Sequence, residues 1–193
     1  MIAGIDYGSK MAGTTAICLL VGDHLEIFQS EKKKDADGFL AETLENHHFS
    51  GQIFIDAPLS LPLAYYENPD HPDFFYRKCD RETGAMSPMF LGGLTARAIQ
   101  LSHTLSKEDY HLYESYPGGL AKLLALDEMG YKGKKESIVP IVRKLESEFE
   151  IMLKEIPLNW HQVDSLLCYI IGMRFHAGKV KAIGDPEEGL ILI

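Results

Sequence analysis

Basic residues are in short supply in this chain: 19 Lys and Arg stand against 28 Asp and Glu, for a formal net charge of −9. That shortage excludes a protein that grips nucleic acid mainly through a broad basic face. It leaves room for an acidic site that holds a metal and reaches phosphate through it. Cysteine is scarce too. Cys18, Cys79 and Cys168 are odd in number and widely spaced, with no CxxC or Cys/His spacing that suggests zinc. A reducing cytoplasm is the expected compartment. Long apolar runs are missing. The longest, Ala16 to Val21 and Leu166 to Met173, are far too short to span a bilayer. Asp6 and Lys10 interrupt any apolar stretch at the N-terminus, so neither a signal peptide nor a membrane partner is expected. Internal repeats and low-complexity segments are also lacking.

What is present is an ordinary globular balance, 46% hydrophobic and 24% charged over 193 residues. That suffices for a real core in one domain covering residues 1–193. Two apolar runs stand out by how they end. Met1-Ile2-Ala3-Gly4-Ile5 stops at Asp6, and Ile53-Phe54-Ile55 stops at Asp56. Tyr7-Gly8-Ser9 and Ala57-Pro58 follow them, and neither continues a strand. Short apolar runs stopped by Gly or Pro read as buried strands. If the two strands are neighbours, two carboxylates emerge side by side at the sheet edge. Two anions held close repel unless a proton or a cation is shared. Mg²⁺ or Mn²⁺ takes oxygen ligands in such an arrangement.

The rest of the chain supplies the frame. Ile2 to Asp6, Thr14 to Val21 and His24 to Gln29 read as strands, the last two joined by the hairpin signal Gly22-Asp23. Asp37 to His47 has the spacing of an amphipathic helix, and the strand ending at Asp56 follows. Residues 58–93 differ. Prolines 58, 62, 69, 72 and 88 punctuate them, and Tyr65, Tyr66, Phe74, Phe75 and Tyr76 crowd in. A segment of this length without periodicity reads as an inserted functional loop or lid. Helices are expected at Leu94 to Leu105, Gly118 to Asp127, Glu136 to Lys154 and Asn159 to His176, the last with Asn159 and Gln162 forming a capping box. Strands are expected at Tyr110 to Ser115 and Gly189 to Ile193.

Several side chains are candidates for chemistry. Asp164 lies about one turn into the last helix, at the rim of the apolar stripe Val163, Leu166, Leu167, Ile170 and Ile171. Alone it reads as a solvated surface residue. With Asp6 and Asp56 at strand ends it reads as a third carboxylate. Glu114 stands just before a strand stop and is either a fourth carboxylate or an edge residue in solvent. Three or four converging carboxylates suit a two-metal site. Ser9 and Lys10, in the turn after Asp6, are placed to touch phosphate or simply to shape a tight turn. Arg77 and Arg81 have the chemistry to bind phosphate bidentately, against the plainer reading of a solvated turn. Tyr65, Tyr66, Phe74 and Phe75 either stack bases or form a satellite core. His71 with Asp70 and Asp73 reads as polar loop rather than metal site. His161, one turn before Asp164, is either surface or a proton shuttle beside the site.

These residues resemble a known family. Gly4-Ile5-Asp6, Ile55-Asp56-Ala57-Pro58, Arg77 with Cys79-Asp80-Arg81, Glu114-Ser115-Tyr116-Pro117, Gly130-Tyr131-Lys132, Asp164-Ser165-Leu166 and Glu188-Gly189 occur in the order seen in the predicted nuclease family with a ribonuclease H-like fold. The order of elements, three antiparallel strands, helix, strand, strand and a late helix, agrees. The likeness covers nearly the whole chain, and the ordered set is more specific than any one motif. It implies an α/β ribonuclease H-like mixed sheet with flanking helices and metal-dependent phosphodiester chemistry on a nucleic acid. It also implies Asp6, Asp56 and Asp164 as ligands of Mg²⁺ or Mn²⁺, with Glu114 as their partner. The chain reads Asp164-Ser165-Leu166 where many relatives have Asp-Ala-Leu, a change small enough to keep the site. Two other readings remain open: a phosphotransferase or ATPase related to the actin and sugar-kinase superfamily, and a non-catalytic binding protein on a nuclease scaffold. The first wants a second Gly-rich phosphate hairpin, and the chain has none.

Overall fold

A computed structural model describes residues 1–66, 71–106 and 110–193. Its main strands are β1 (Ile2–Asp6), β2 (Ala16–Val21), β3 (His24–Gln29), β4 (Gln52–Asp56) and β5 (His111–Glu114). They form one mixed sheet in the order β3-β2-β1-β4-β5. β1, β2 and β3 are an antiparallel meander, while β4 and β5 run parallel to β1. The helices are α1 (Ala36–Asn46), α2 (Lys78–Thr83), α3 (Pro88–Leu91), α4 (Gly93–Leu105), α5 (Pro117–Leu123), α6 (Ile138–Phe149) and α7 (Trp160–His176). A small hairpin of β6 (Ala182–Asp185) and β7 (Gly189–Leu192) completes the chain. The protein is thus mixed α/β, a five-stranded sheet flanked by helices. Among the described residues no helix is long and apolar enough to cross a membrane.

The two-residue period of strands sorts side chains onto two faces. Ala3, Ile5, Ile17, Leu19, Ile53 and Ile55 enter one core with Leu40 and Leu44 of α1 and Ala98 of α4. Cys18 and Phe54 enter the other, built with α5, α6 and α7. Asp6 and Asp56 have the parity of Gly4 and Phe54, so they emerge on the face that α7 covers. α7 lies very close there. A Cβ at Gly4 would fall 2.2 Å from the backbone N of Tyr169 and 2.3 Å from the carbonyl of Ser165. Only glycine at position 4 lets the helix seat on β1. Ser165 is fully buried in this contact, and its hydroxyl donates to the Gln162 carbonyl at 2.8 Å.

Several expected elements differ. The described residues of the inserted region 58–93 include a 3₁₀ turn at Leu63–Tyr65, then α2 and α3, the latter capped by the Ser87 hydroxyl accepting from the Met89 N–H. Pro69 and Asp70 lie outside the described residues. The helix expected to reach Asp127 stops at Leu123, because Ala125 turns left-handed at φ 55° and a separate 3₁₀ turn, Leu126–Met129, follows. The helix expected through Lys154 ends at Phe149, with Glu150 left-handed at φ 53°. Beyond it the chain pairs with the edge of β3. The Leu25 N–H donates to the Met152 carbonyl at 2.7 Å and the Lys154 N–H to the Leu25 carbonyl at 3.0 Å. Sheet-edge hydrogen bonds there win over a weak helical preference. β6 went unexpected because Gly184 and Asp185 are poor strand formers.

The seating of α7 gives a direct expectation. Gly4→Ala should lower the unfolding free energy by about 3 kcal/mol or more in urea melts, at or beyond the upper end of ordinary overpacking. Gly93, which opens α4, has nothing within 4 Å of the place a methyl group would take. It should tolerate Ala within about 1 kcal/mol.

Candidate metal centre

Asp6 and Asp56 are register partners at the ends of the parallel neighbours β1 and β4. Asp164 comes from the first turns of α7. Its helix begins where the Asn159 side chain accepts from the Gln162 N–H at 3.1 Å. The Asn159 and Gln162 amides both donate to the Gln29 side-chain oxygen on β3, at 2.9 and 3.0 Å. The expected capping box is half present: Gln162 Oε1 accepts from the Leu158 N–H rather than from that of Asn159. Tied to β3 at its start and seated on Gly4 further along, α7 brings Asp164 over the strand ends. One carboxylate oxygen from each of Asp6, Asp56 and Asp164 lies within 4.8 Å of the other two. These are three hard oxygen donors converging on one point, the donor set that divalent Mg²⁺ and Mn²⁺ favour.

The cluster is electrostatically costly by itself. Asp6 and Asp164 are buried and Asp56 partly so. Burial lifts the Asp56 carboxyl well above its ordinary range, and the charges of Asp6 and Asp164 lift it further. Burial also raises Asp6, against the pull of His161. Asp164 is pushed up to about 6, mainly by burial, with Lys132 opposing. A second ring of side chains offsets the charge. His161 Nδ1 meets Asp6 Oδ2 at 2.8 Å, and Lys132 Nζ meets Asp164 Oδ2 at 2.8 Å. The Tyr131 hydroxyl donates to the other oxygen of Asp164. The hydrogen bond to Asp6 raises His161.

The remaining expected site residues do not join the trio. Glu114 pairs in register with Ile55, one residue short of Asp56, and lines the same depression as Asp6 and Asp56 without bringing an oxygen into the trio. There both its oxygens accept from Arg77, at 2.7 and 2.6 Å, and one also accepts from the Leu59 N–H at 3.0 Å. Arg77, expected to bind phosphate, is fully buried. Its guanidinium is consumed by Asp80, Glu114 and Ser60, leaving no donor for a substrate. Arg81 lies over the Tyr76 ring at 3.9 Å and pairs with Asp73 at 2.7 Å. Lys10 pairs with Asp35 at 3.1 Å and faces a separate cavity of about 720 Å³ between α1 and α4. Ser9 is exposed, and its carbonyl closes a turn by accepting from the Ala12 N–H at 3.1 Å. Of the four residues expected to hold substrate, Arg77 is buried in other bonds, Arg81 and Lys10 are paired with Asp73 and Asp35, and Ser9 is exposed.

The inserted segment does border the cluster. Asp6, Asp56 and Lys132 line a depression of about 430 Å³ whose wall includes Met86 and Leu91. Its aromatics are not a satellite core: Tyr65, Tyr66, Phe74 and Phe75 are each about half exposed, between 46% and 56%. Lys132 and Tyr131 were the contributors that periodicity could not assign. Gly130-Tyr131-Lys132 stands among the ordered motifs, but the turn signature of Gly130 and Gly133 says nothing about what the turn faces.

Two measurements check this picture. Asp164 has a folded value of about 6 against an ordinary 3.8, so it takes up a proton on folding between those values. Its penalty on stability is absent below the ordinary value and complete once pH rises past the folded one. Asp6 and Asp56 have the same sense. His161 is raised as well, so its stabilising contribution is present below its ordinary value and lost as pH rises past the folded one. Without added metal, the protein should melt several degrees higher at pH 5.5 than at pH 8, and Asp56→Asn should flatten that slope. Arg77→Ala should act on folding, not on ligand binding. It leaves Glu114 and Asp80 as unpaired buried charges, costing about 3–5 kcal/mol in urea melts. Compared with protein-family models, with curated proteins and with solved structures, the chain finds no match.

Proposed function

We propose that this protein is a Mg²⁺- or Mn²⁺-dependent phosphodiesterase acting on nucleic acid, a nuclease with a ribonuclease H-like sheet. The observation that carries the reading is the convergence of Asp6, Asp56 and Asp164 to within 4.8 Å from positions far apart in sequence. The strand order β3-β2-β1-β4-β5, with carboxylates at the ends of the two central parallel strands, supports it. Burying three repelling carboxylates has no evident structural benefit, and a shared hard cation relieves the repulsion. Bound there, a divalent cation supplies Lewis acidity at a phosphodiester and neutralises the charge that develops on it.

The protein's own groups have distinct tasks in this reading. The three aspartates hold the cation. Tyr131 fixes the rotamer of Asp164. His161, at hydrogen-bond distance from Asp6 and with its side chain 46% exposed, is placed to carry a proton between the site and solvent. Glu114, held by Arg77 beside the depression, anchors the inserted segment through the Leu59 N–H, and its oxygens are engaged by Arg77 rather than by a cation. The expected two-metal arrangement then rests on three carboxylates and not four: Asp6, Asp56 and Asp164 would hold the cation.

A second reading has its own support. Lys132, His161 and Tyr131 already bond the cluster, and a cation-free binding protein would neutralise its carboxylates in that way. Melting curves separate the two. Mn²⁺ that binds only the native state should add about 2.7 kcal/mol at a hundredfold excess over Kd. Asp56→Asn should be at least as stable without metal and should respond far less to it. Cleavage of labelled DNA and RNA oligonucleotides should need the cation. It should fall in Asp56→Asn by at least the roughly 10–100-fold that loss of an outer-shell partner costs a metal site. No melting shift in millimolar Mn²⁺ would favour the binding protein.

A further inference from the structure

Among the described residues, no Lys or Arg other than Lys132 bonds Asp6, Asp56 or Asp164. The backbone that presents it is fixed. Lys132 is left-handed at φ 56°, a conformation disfavoured for any residue with a Cβ. The turn is closed by the Gly133 N–H donating to the Gly130 carbonyl at 2.9 Å and the Tyr131 N–H to the Leu126 carbonyl at 3.1 Å. The Tyr131 ring stands edge-on to Trp160, centroids 5.5 Å apart, and its hydroxyl is on Asp164. The side chain, in contrast, is not enclosed. That of Lys132 is 51% exposed, against 4% for Asp164. A pinned Cα with a four-carbon stem thus gives the ammonium two reachable places: down on Asp164, or out in the depression that Lys132 lines with Asp6 and Asp56.

We infer that Lys132 exchanges partners in the working cycle. Its ammonium competes with the divalent cation for Asp164 and, once displaced, binds the phosphate of the phosphodiester. This rests on the metal-dependent reading above. A divalent cation on Asp164 and an ammonium bonded to the same carboxylate are like charges a few ångströms apart, and their repulsion drives the more mobile one away. The pinned stem keeps the displaced ammonium at the site. It then meets an anionic phosphate beside the cation, where a lysine acts as a point charge without the geometric demands of arginine. Lys134 and Lys135 follow on the same exposed stretch. A chain with a net charge of −9 would in this way gather its positive charge where the polyanion must come.

The test uses the wild-type chain first. Lysine acetylation by a soluble acylating reagent is followed by peptide mass spectrometry, with and without saturating Mg²⁺. Lys132 should react several-fold faster with Mg²⁺, relative to the other lysines. No change would overturn the exchange. Lys132→Met should then bind Mn²⁺ about tenfold more tightly in calorimetry and raise the KM for oligonucleotide cleavage at least tenfold, whereas Lys132→Arg keeps both near the parent values. Equal or weaker Mn²⁺ binding by Lys132→Met, or an unchanged KM, would reduce Lys132 to a structural partner of Asp164. A parent that binds no Mn²⁺ would sink the metal-dependent reading itself, a different outcome from either.

Discussion

The contact between α7 and β1 at Gly4 is the constraint on which the site depends. Helices normally rest on a sheet through side chains, at a distance that those side chains set. Here the backbone of Tyr169 and Ser165 occupies the space a Cβ at position 4 would need. The helix is therefore pulled down onto the sheet, and Asp164, next to Ser165, reaches the ends of β1 and β4. Gly172 repeats the device further along α7, where a Cβ would crowd Ile2 and Phe54. Two small residues, one on the strand and one on the helix, set both the height of α7 and its direction.

What this seating creates is a concentration of negative charge in a poorly solvated place. Such a cluster is tolerable only if something neutralises it. Lys132 and His161 do so at the rim, with side chains about half exposed, while Asp6 and Asp164 are buried. The second charged network, Arg77 with Glu114 and Asp80, is the opposite in character. It is buried and its donors are satisfied on all sides. Glu188 extends it by accepting from the Leu63 and Lys78 N–H groups at 2.9 and 2.6 Å. That network ties the inserted segment to the end of β5 and to the terminal hairpin, and so holds the wall of the depression in place.

The contrast between the two networks explains why residue chemistry alone misassigns Arg77 and Glu114. An arginine near an acidic site and a glutamate at a strand stop both suggest function. Whether they serve it directly depends on what already bonds them. Glu114 borders the same depression as Asp56, but both its oxygens are taken by Arg77, whose own donors are all used.

By itself the sequence determined the strands of the main sheet, though not β6, because alternating and apolar runs have short-range causes. It likewise determined that Asp6 and Asp56 stand where strands stop, since Gly8 and Pro58 end them locally. The late helix with Asp164 at the rim of its apolar stripe follows from periodicity and from a cap at Asn159. Tertiary structure alone decided three things. It decided the parallel register that pairs Asp6 with Asp56, which depends on hydrogen bonds between strands far apart along the chain. It decided where α6 gives way to pairing with β3, since edge hydrogen bonds outrank a local preference. And it decided that Lys132 joins the acids while Arg77 is buried away from them. A side chain's partner is set by which backbone lies across from it, and no local pattern in the chain carries that information.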